Sequence, residues 1–160
     1  MSKKKKLALT NVLKMLQEFT ADNKVQEMKN YLQHGATSTY EHSIGVAVSS
    51  YRIAKALHLN VDMKAMVKGA MLHDFYLYDY HVRGRIPEGT KNPFKIHGFQ
   101  HPLDAAQNAQ ERFELDEKEV NIIEAHMFPL TITRVPKSTE AMIVSLADKY
   151  CCIKETFRIA

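Results

Sequence analysis

A histidine and an aspartate stand side by side at His73-Asp74, directly after the small and apolar run Lys68-Gly-Ala-Met-Leu. Aromatic and glycine-bearing sequence then breaks the pattern. A buried helix has little use for two neighbouring polar side chains unless something binds them. A divalent cation is the simplest answer, because imidazole and carboxylate together suit Zn, Fe, Mn or Ni. Four more polar residues lie on or beside apolar helical faces: His42, His101, His126 and Asp148. The six come from five helices or helix ends, so the fold has to gather them.

The elements that must do so are helical. Apolar spacing at Leu9, Val12, Leu13 and Leu16 predicts a first helix over about 7–19. A second is expected over 25–32, ended by His34-Gly35 in the usual glycine manner. Ser38-Thr-Tyr-Glu41 has the form of a capping box and predicts a third helix to about Leu57, with His42 near its start. The fourth runs over about 62–75. It is apolar or small over much of its girth, which argues for a central position. On a helix with 3.6 residues per turn, His73 and Asp74 sit about 100° apart, so one ion can meet both only near the helix end.

From Tyr76 to Gln100 the sequence reads as a loop rich in glycine, proline and cations. A fifth helix is expected to start at His101-Pro102, where the missing proline N–H costs nothing. Asp116 to Glu119 has the spacing to cap a sixth, which leads to His126. A last helix from near Ser138 is expected to bury Ile143, Leu146, Ala147, Tyr150 and Ile153, with Asp148 among them. The best strand candidate is Thr131-Ile-Thr133, and it is very short.

The chain has 160 residues, 45% hydrophobic and 25% charged, which suits one globular domain with a full core. Residues 1–6 are read as a basic, frayed tail and residues 7–160 as the domain. Much of the net charge of +4 sits in that tail. The tail has no signal-peptide core, no apolar run spans a bilayer, and adjacent Cys151 and Cys152 make no disulfide framework. A cytoplasmic protein without membrane contact is expected. There is no aromatic-interleaved basic stripe of the kind that binds nucleic acid, so RNA binding by the lysines ranks last.

The ordered set Tyr40-Glu-His42-Ser-Ile-Gly, Gly69-Ala-Met-Leu-His73-Asp74 and Ser145-Leu-Ala-Asp148-Lys149 resembles the HD-domain superfamily of metal-dependent phosphohydrolases. The resemblance covers about residues 35–156. It implies a compact all-α bundle in which His42, His73, Asp74 and Asp148 ligate one metal, with His73 and Asp74 at the catalytic centre. Members with a second metal add two histidines between the doublet and the last Asp, and His101 and His126 stand there. Asp74 would then bridge the ions. His97 competes with His101; His101 is preferred because the Pro102 helix start fixes its direction. His126 is followed by Met127-Phe128-Pro129 rather than the Gly-Tyr-Pro signature of cyclic-dinucleotide members, and the threonine-rich turn of tetraphosphate hydrolases is absent. The substrate is therefore not inherited with the fold.

The resemblance implies one or two divalent transition ions (Fe, Mn, Ni, Co or Zn) and hydrolysis of a phosphoester or phosphoanhydride. A nucleotide or related phosphorylated small molecule is the expected substrate and a homodimer the candidate assembly. Arg83, Lys91, His97 and Lys149 are the expected substrate contacts. The alternative function is a metal-containing nucleotide sensor or interaction module without turnover. The plain reading of His42, His73, Asp74 and Asp148 is a buried hydrogen-bond network without metal. His34 and His58 read as caps or surface residues, with packing near the site the alternative for His34; Tyr76, Tyr78 and Tyr80 read as cover for the core, with stacking on a base the alternative, and the cysteines as small buried hydrophobes.

Overall fold

The computed structural model describes residues 3–80 and 97–157, and the chain's own start signals account for most of its elements. Helix α1 spans Lys3–Met15 and α2 Gln17–Thr20. The lysines read as a frayed tail form the first turn of α1, as exposed lysine allows, being a good helix former. Helix α3 covers Asn23–Glu27, with the Asp22 carboxylate accepting from the amides of Lys24 and Val25. A 3-10 turn at Met28–Asn30 follows.

The expected second helix stops there. Residues 32–38 instead form an antiparallel hairpin, β1 (Leu32–His34) with β2 (Thr37–Ser38). Gly35 adopts φ 61° in its two-residue turn, so the glycine serves a hairpin and not a helix end. Thr131-Ile-Thr133, the strand candidate, lies in a turn in which the Thr131 carbonyl accepts from the Arg134 amide.

Helix α4 (Thr39–Ala56) starts with the expected capping box: Ser38 accepts from the Glu41 amide, and Glu41 reaches back to the Ser38 amide. Helix α5 (Met63–Leu72) is capped by Asp62 and buries seven of its ten residues, which makes it the central helix. It packs tightly on a later helix at Gly69, where a Cβ would lie 2.6 Å from Ile122 Cγ2. Fully burying Met66, Met71 and Leu72 contributes about 1.5–3 kcal/mol each.

The described part of α6 runs His97–Arg112, four residues earlier than expected, and takes Pro102 into its interior. The ring removes one N–H, the one that would have met the Gly98 carbonyl. Helix α7 (Glu117–Ala125) has a second capping box, Asp116 with Glu119. Helix α8 (Thr139–Thr156) begins after Ser138, which accepts from the Ala141 amide.

Ile143 and Ala147 of α8 are buried as expected, but Leu146, Tyr150 and Ile153 are more than half exposed. This helix carries apolar residues on most of its girth, so periodicity could not choose the inward face. The chosen face is Ala141, Val144, Ala147, Asp148 and Cys151. Helices α4, α5 and α8 contact one another, and α7 meets α5, α6 and α8. The fold is the expected all-α one with a small hairpin added. Among the described residues no helix is long and apolar enough to cross a membrane.

Candidate metal centre

Two histidines stand at helix ends for the same reason. His73 and His126 are the C-caps of α5 and α7. The last carbonyls of a helix lack amide partners from the helix itself. His73 Nδ1 donates to the Ala70 carbonyl at 2.7 Å, and His126 Nδ1 donates to the Ile123 carbonyl at 2.7 Å. His101, one turn into α6, donates from Nδ1 to the His97 carbonyl at 2.7 Å. A carbonyl can only accept, so in the neutral form each of these rings carries its proton on Nδ1 and a lone pair on Nε2. The fourth ring, His42 of α4, is held at Nδ1 by Glu155 Oε2 at 2.8 Å.

The four Nε2 atoms converge on Asp74. Its Oδ2 lies 3.2 Å from His73 Nε2 and 3.8 Å from His42 Nε2. Its Oδ1 lies 3.3 Å from His101 Nε2 and 3.6 Å from His126 Nε2. One carboxylate thus turns one oxygen to each histidine pair. Asp148 Oδ1 closes the first group, 3.1 Å from His42 Nε2 and 3.7 Å from His73 Nε2. The ligand atoms of His42, His73 and Asp148 all lie within 4.8 Å of one another, as do those of His73, Asp74 and His126. All six residues are buried.

This arrangement fits cations on its own chemistry. His101 Nε2 and His126 Nε2 are 2.9 Å apart, two lone pairs facing each other in a buried place. His73 Nε2 and Asp74 Oδ1 are buried with no hydrogen-bond partner. Neutral imidazole and carboxylate at this spacing repel unless a positive charge sits among them.

Protons supply part of that charge when nothing else does. Burial opposes a charged His42, but the carboxylates of Asp148 and Glu155 outweigh it and raise the ring to about 9. Burial likewise opposes charge on His73, and Asp74 and Asp148 overcome it, holding the ring well above its ordinary range. For His126 burial wins, helped by the charge on His73 and by coupling to His101, and the ring falls to about 3. Burial also lowers His101 against the pull of Asp74. Asp74 is pushed up by burial, yet the surrounding imidazoles, His73 first, hold it well below the carboxylate range.

Behind Asp74 stands a chain of donors that sequence reasoning missed. Gln33 Nε2 donates to Asp74 Oδ2 at 2.6 Å. The Tyr76 and Thr39 hydroxyls donate to Gln33 Oε1, which fixes the amide orientation, and the Tyr80 hydroxyl donates to the Gln33 carbonyl at 2.6 Å. Gln33 sits on β1, and no sequence pattern announced the hairpin. Glu155 was also missed, although it lies two turns after Asp148 on α8 and so shares its face.

A cavity of about 460 Å³ opens onto Asp74, His101, His126 and Asp148. Its outer wall includes His34, Tyr80, His97, Met127, Leu130 and Ile153. The His97 ring stacks on Tyr80 at 4.5 Å and on His101 at 4.6 Å, so His97 lies at the cavity and His101 reaches the cluster. Lys149 borders the cavity, but its ammonium donates to the His126 carbonyl and to the Ser145 carbonyl and hydroxyl. These bonds tie α8 to the end of α7. Arg83 and Lys91 lie outside the described residues. Cys151 is buried, and Cys152 half-buried at the cavity.

Comparison with curated proteins found no significant match, and comparison with solved structures found none either. A family model described as the HD domain matches residues 39–152, a span that holds all six clustered residues and leaves out Gln33 and Glu155. The chain belongs to the HD-domain family, a superfamily of metal-dependent phosphohydrolases.

Proposed function

We propose that this protein hydrolyses a phosphoester or phosphoanhydride of a nucleotide or related phosphorylated small molecule, with two divalent ions held by the cluster. His42, His73, Asp148 and Asp74 Oδ2 would take one ion, and His101, His126 and Asp74 Oδ1 the other. Bound there, such ions acidify a water molecule and draw charge from a phosphoryl oxygen. The chain's own part is to aim four Nε2 lone pairs inward and to hold the bridging carboxylate still through Gln33. Tyr80 and His97 line the cavity beside the cluster, an aromatic border that suits a base or another flat group.

The observation that carries the reading is the opposed pair of Nε2 atoms at 2.9 Å beside a carboxylate oxygen without a partner. It is tested by metal analysis of the purified protein, joined to a screen of nucleotides, dinucleoside polyphosphates and phosphomonoesters with added Mn, Fe, Co or Ni. Bound metal and turnover of one phosphorylated class are expected. Bound metal with tight nucleotide binding and no turnover across the screen would replace the enzyme with a sensor.

A further inference from the structure

His73, His101 and His126 each anchor Nδ1 on a carbonyl three or four residues back in their own helix. His42 sits inside the first turns of α4. Its Nδ1 is held from another element instead. Glu155, in the last turn of α8, meets it at 2.8 Å, while Asp148, two turns earlier on the same helix, faces Nε2 at 3.1 Å. One face of α8 thus grips both nitrogens of a ring that is fully buried.

The neighbourhood leaves room for this carboxylate. A Cβ on Gly45, one turn after His42, would stand 3.7 Å from Glu155 Oε1 and 3.9 Å from Cys151 Sγ. The bare glycine therefore borders the place Glu155 occupies between α4 and α8. Outside Glu155 lies a groove of about 590 Å³ between α1, α4 and α8, which reaches none of the six clustered residues. Glu155 thus borders that groove and also meets His42 of the centre.

We infer that Glu155 is the positioning residue of His42: it holds the proton on Nδ1 and so directs the Nε2 lone pair at the metal position shared with His73 and Asp148. A carboxylate behind a metal-bound imidazole fixes its tautomer and direction and raises its basicity. Glu155 lies beyond the span matched by the family, so the assignment is made from this chain's contacts alone. It rests on the metal-centre reading above.

The test is a double-mutant cycle read by Co²⁺ titration, following the visible absorbance of the bound ion and the number of ions per chain. Glu155→Ala is expected to weaken Co²⁺ binding roughly 10–100-fold. In a His42→Ala background the same substitution is expected to cost nothing further, a pattern that a merely structural role would not give. Glu155→Gln, which keeps an acceptor oxygen, is expected to show a smaller loss that also disappears without His42. If the alanine variant does not fold, the glutamine arm decides by the same cycle. Wild-type affinity in the folded variant, or an equal loss with and without His42, overturns the assignment of Glu155. A wild-type protein that takes up no Co²⁺ overturns the metal centre itself, and the two failures are told apart by that control.

Discussion

His101 Nε2 and His126 Nε2 face each other at 2.9 Å, and each ring has its other nitrogen committed to a backbone carbonyl. Neither ring can turn its proton inward without giving up that carbonyl. Replacing either histidine relieves the repulsion and removes a ligand together. His126→Ala is therefore expected to lower bound metal by about one ion per chain while the fold persists. Inductively coupled plasma mass spectrometry with circular dichroism checks this. Unchanged metal content would remove His126 from the ligand set.

Gln33 ties the hairpin to the Asp74 carboxylate that faces both histidine pairs. Gln33→Ala is expected to weaken metal binding roughly 10–100-fold, as loss of a supporting hydrogen bond does at other centres. It also leaves the buried Tyr76 hydroxyl only its longer contact with the Thr39 hydroxyl at 3.5 Å, at a cost of up to about 3 kcal/mol. Titration with Mn²⁺ and urea unfolding in chelator separate the two effects. An unchanged Mn²⁺ affinity would make Gln33 a purely structural residue.

Stability without metal is expected to peak near neutral pH. His42, at about 9 in the folded chain against an ordinary 6.5, stabilises fully below 6.5, and that contribution is lost as pH rises through 9. His126, at about 3 against 6.5, works the other way: keeping it neutral costs more stability as pH falls from 6.5 towards 3. Each flank changes by up to about 1.4 kcal/mol per pH unit per proton. Saturating Mn²⁺ should flatten the alkaline flank, because the ion requires the deprotonated rings. Urea midpoints at pH 5, 7 and 9, with chelator and with Mn²⁺, check this; a metal-free protein equally stable at pH 7 and 9 would contradict it.

Gly69 is needed for the contact of α5 with α7. A methyl group there would lie 2.6 Å from Ile122 Cγ2 and 2.9 Å from its Cβ. Gly69→Ala is expected to destabilise by about 1–3 kcal/mol despite the better helix propensity of alanine. Combining it with Ile122→Val should recover part of the loss, as seen in thermal melts. A more stable Gly69→Ala protein would show that the helices can part freely.

Much of this was legible in the sequence where a local rule applied. The capping boxes at Ser38–Glu41 and Asp116–Glu119 fixed two helix starts because their hydrogen bonds close within four residues. The six polar residues stood out because each interrupts an apolar face. The hairpin at residues 32–38 was hidden because strands this short carry no periodicity. Gln33 and Glu155 were hidden because their partners, Asp74 and His42, are 41 and 113 residues away. The inward face of α8 was misread at Leu146, Tyr150 and Ile153, where apolar residues stand on the exposed side.

The central claim is that cations occupy the space between the two histidine pairs. The direct measurement is the metal-to-chain ratio of protein incubated with Mn²⁺, Fe²⁺ or Co²⁺ and then freed of unbound ion, for wild type and for Asp74→Ala. The account predicts close to two ions per chain in wild type and a loss of tight binding at both positions in the variant, because each position loses one oxygen of the same carboxylate. A wild-type protein that retains no ion, or a variant that retains as many as wild type, would contradict it.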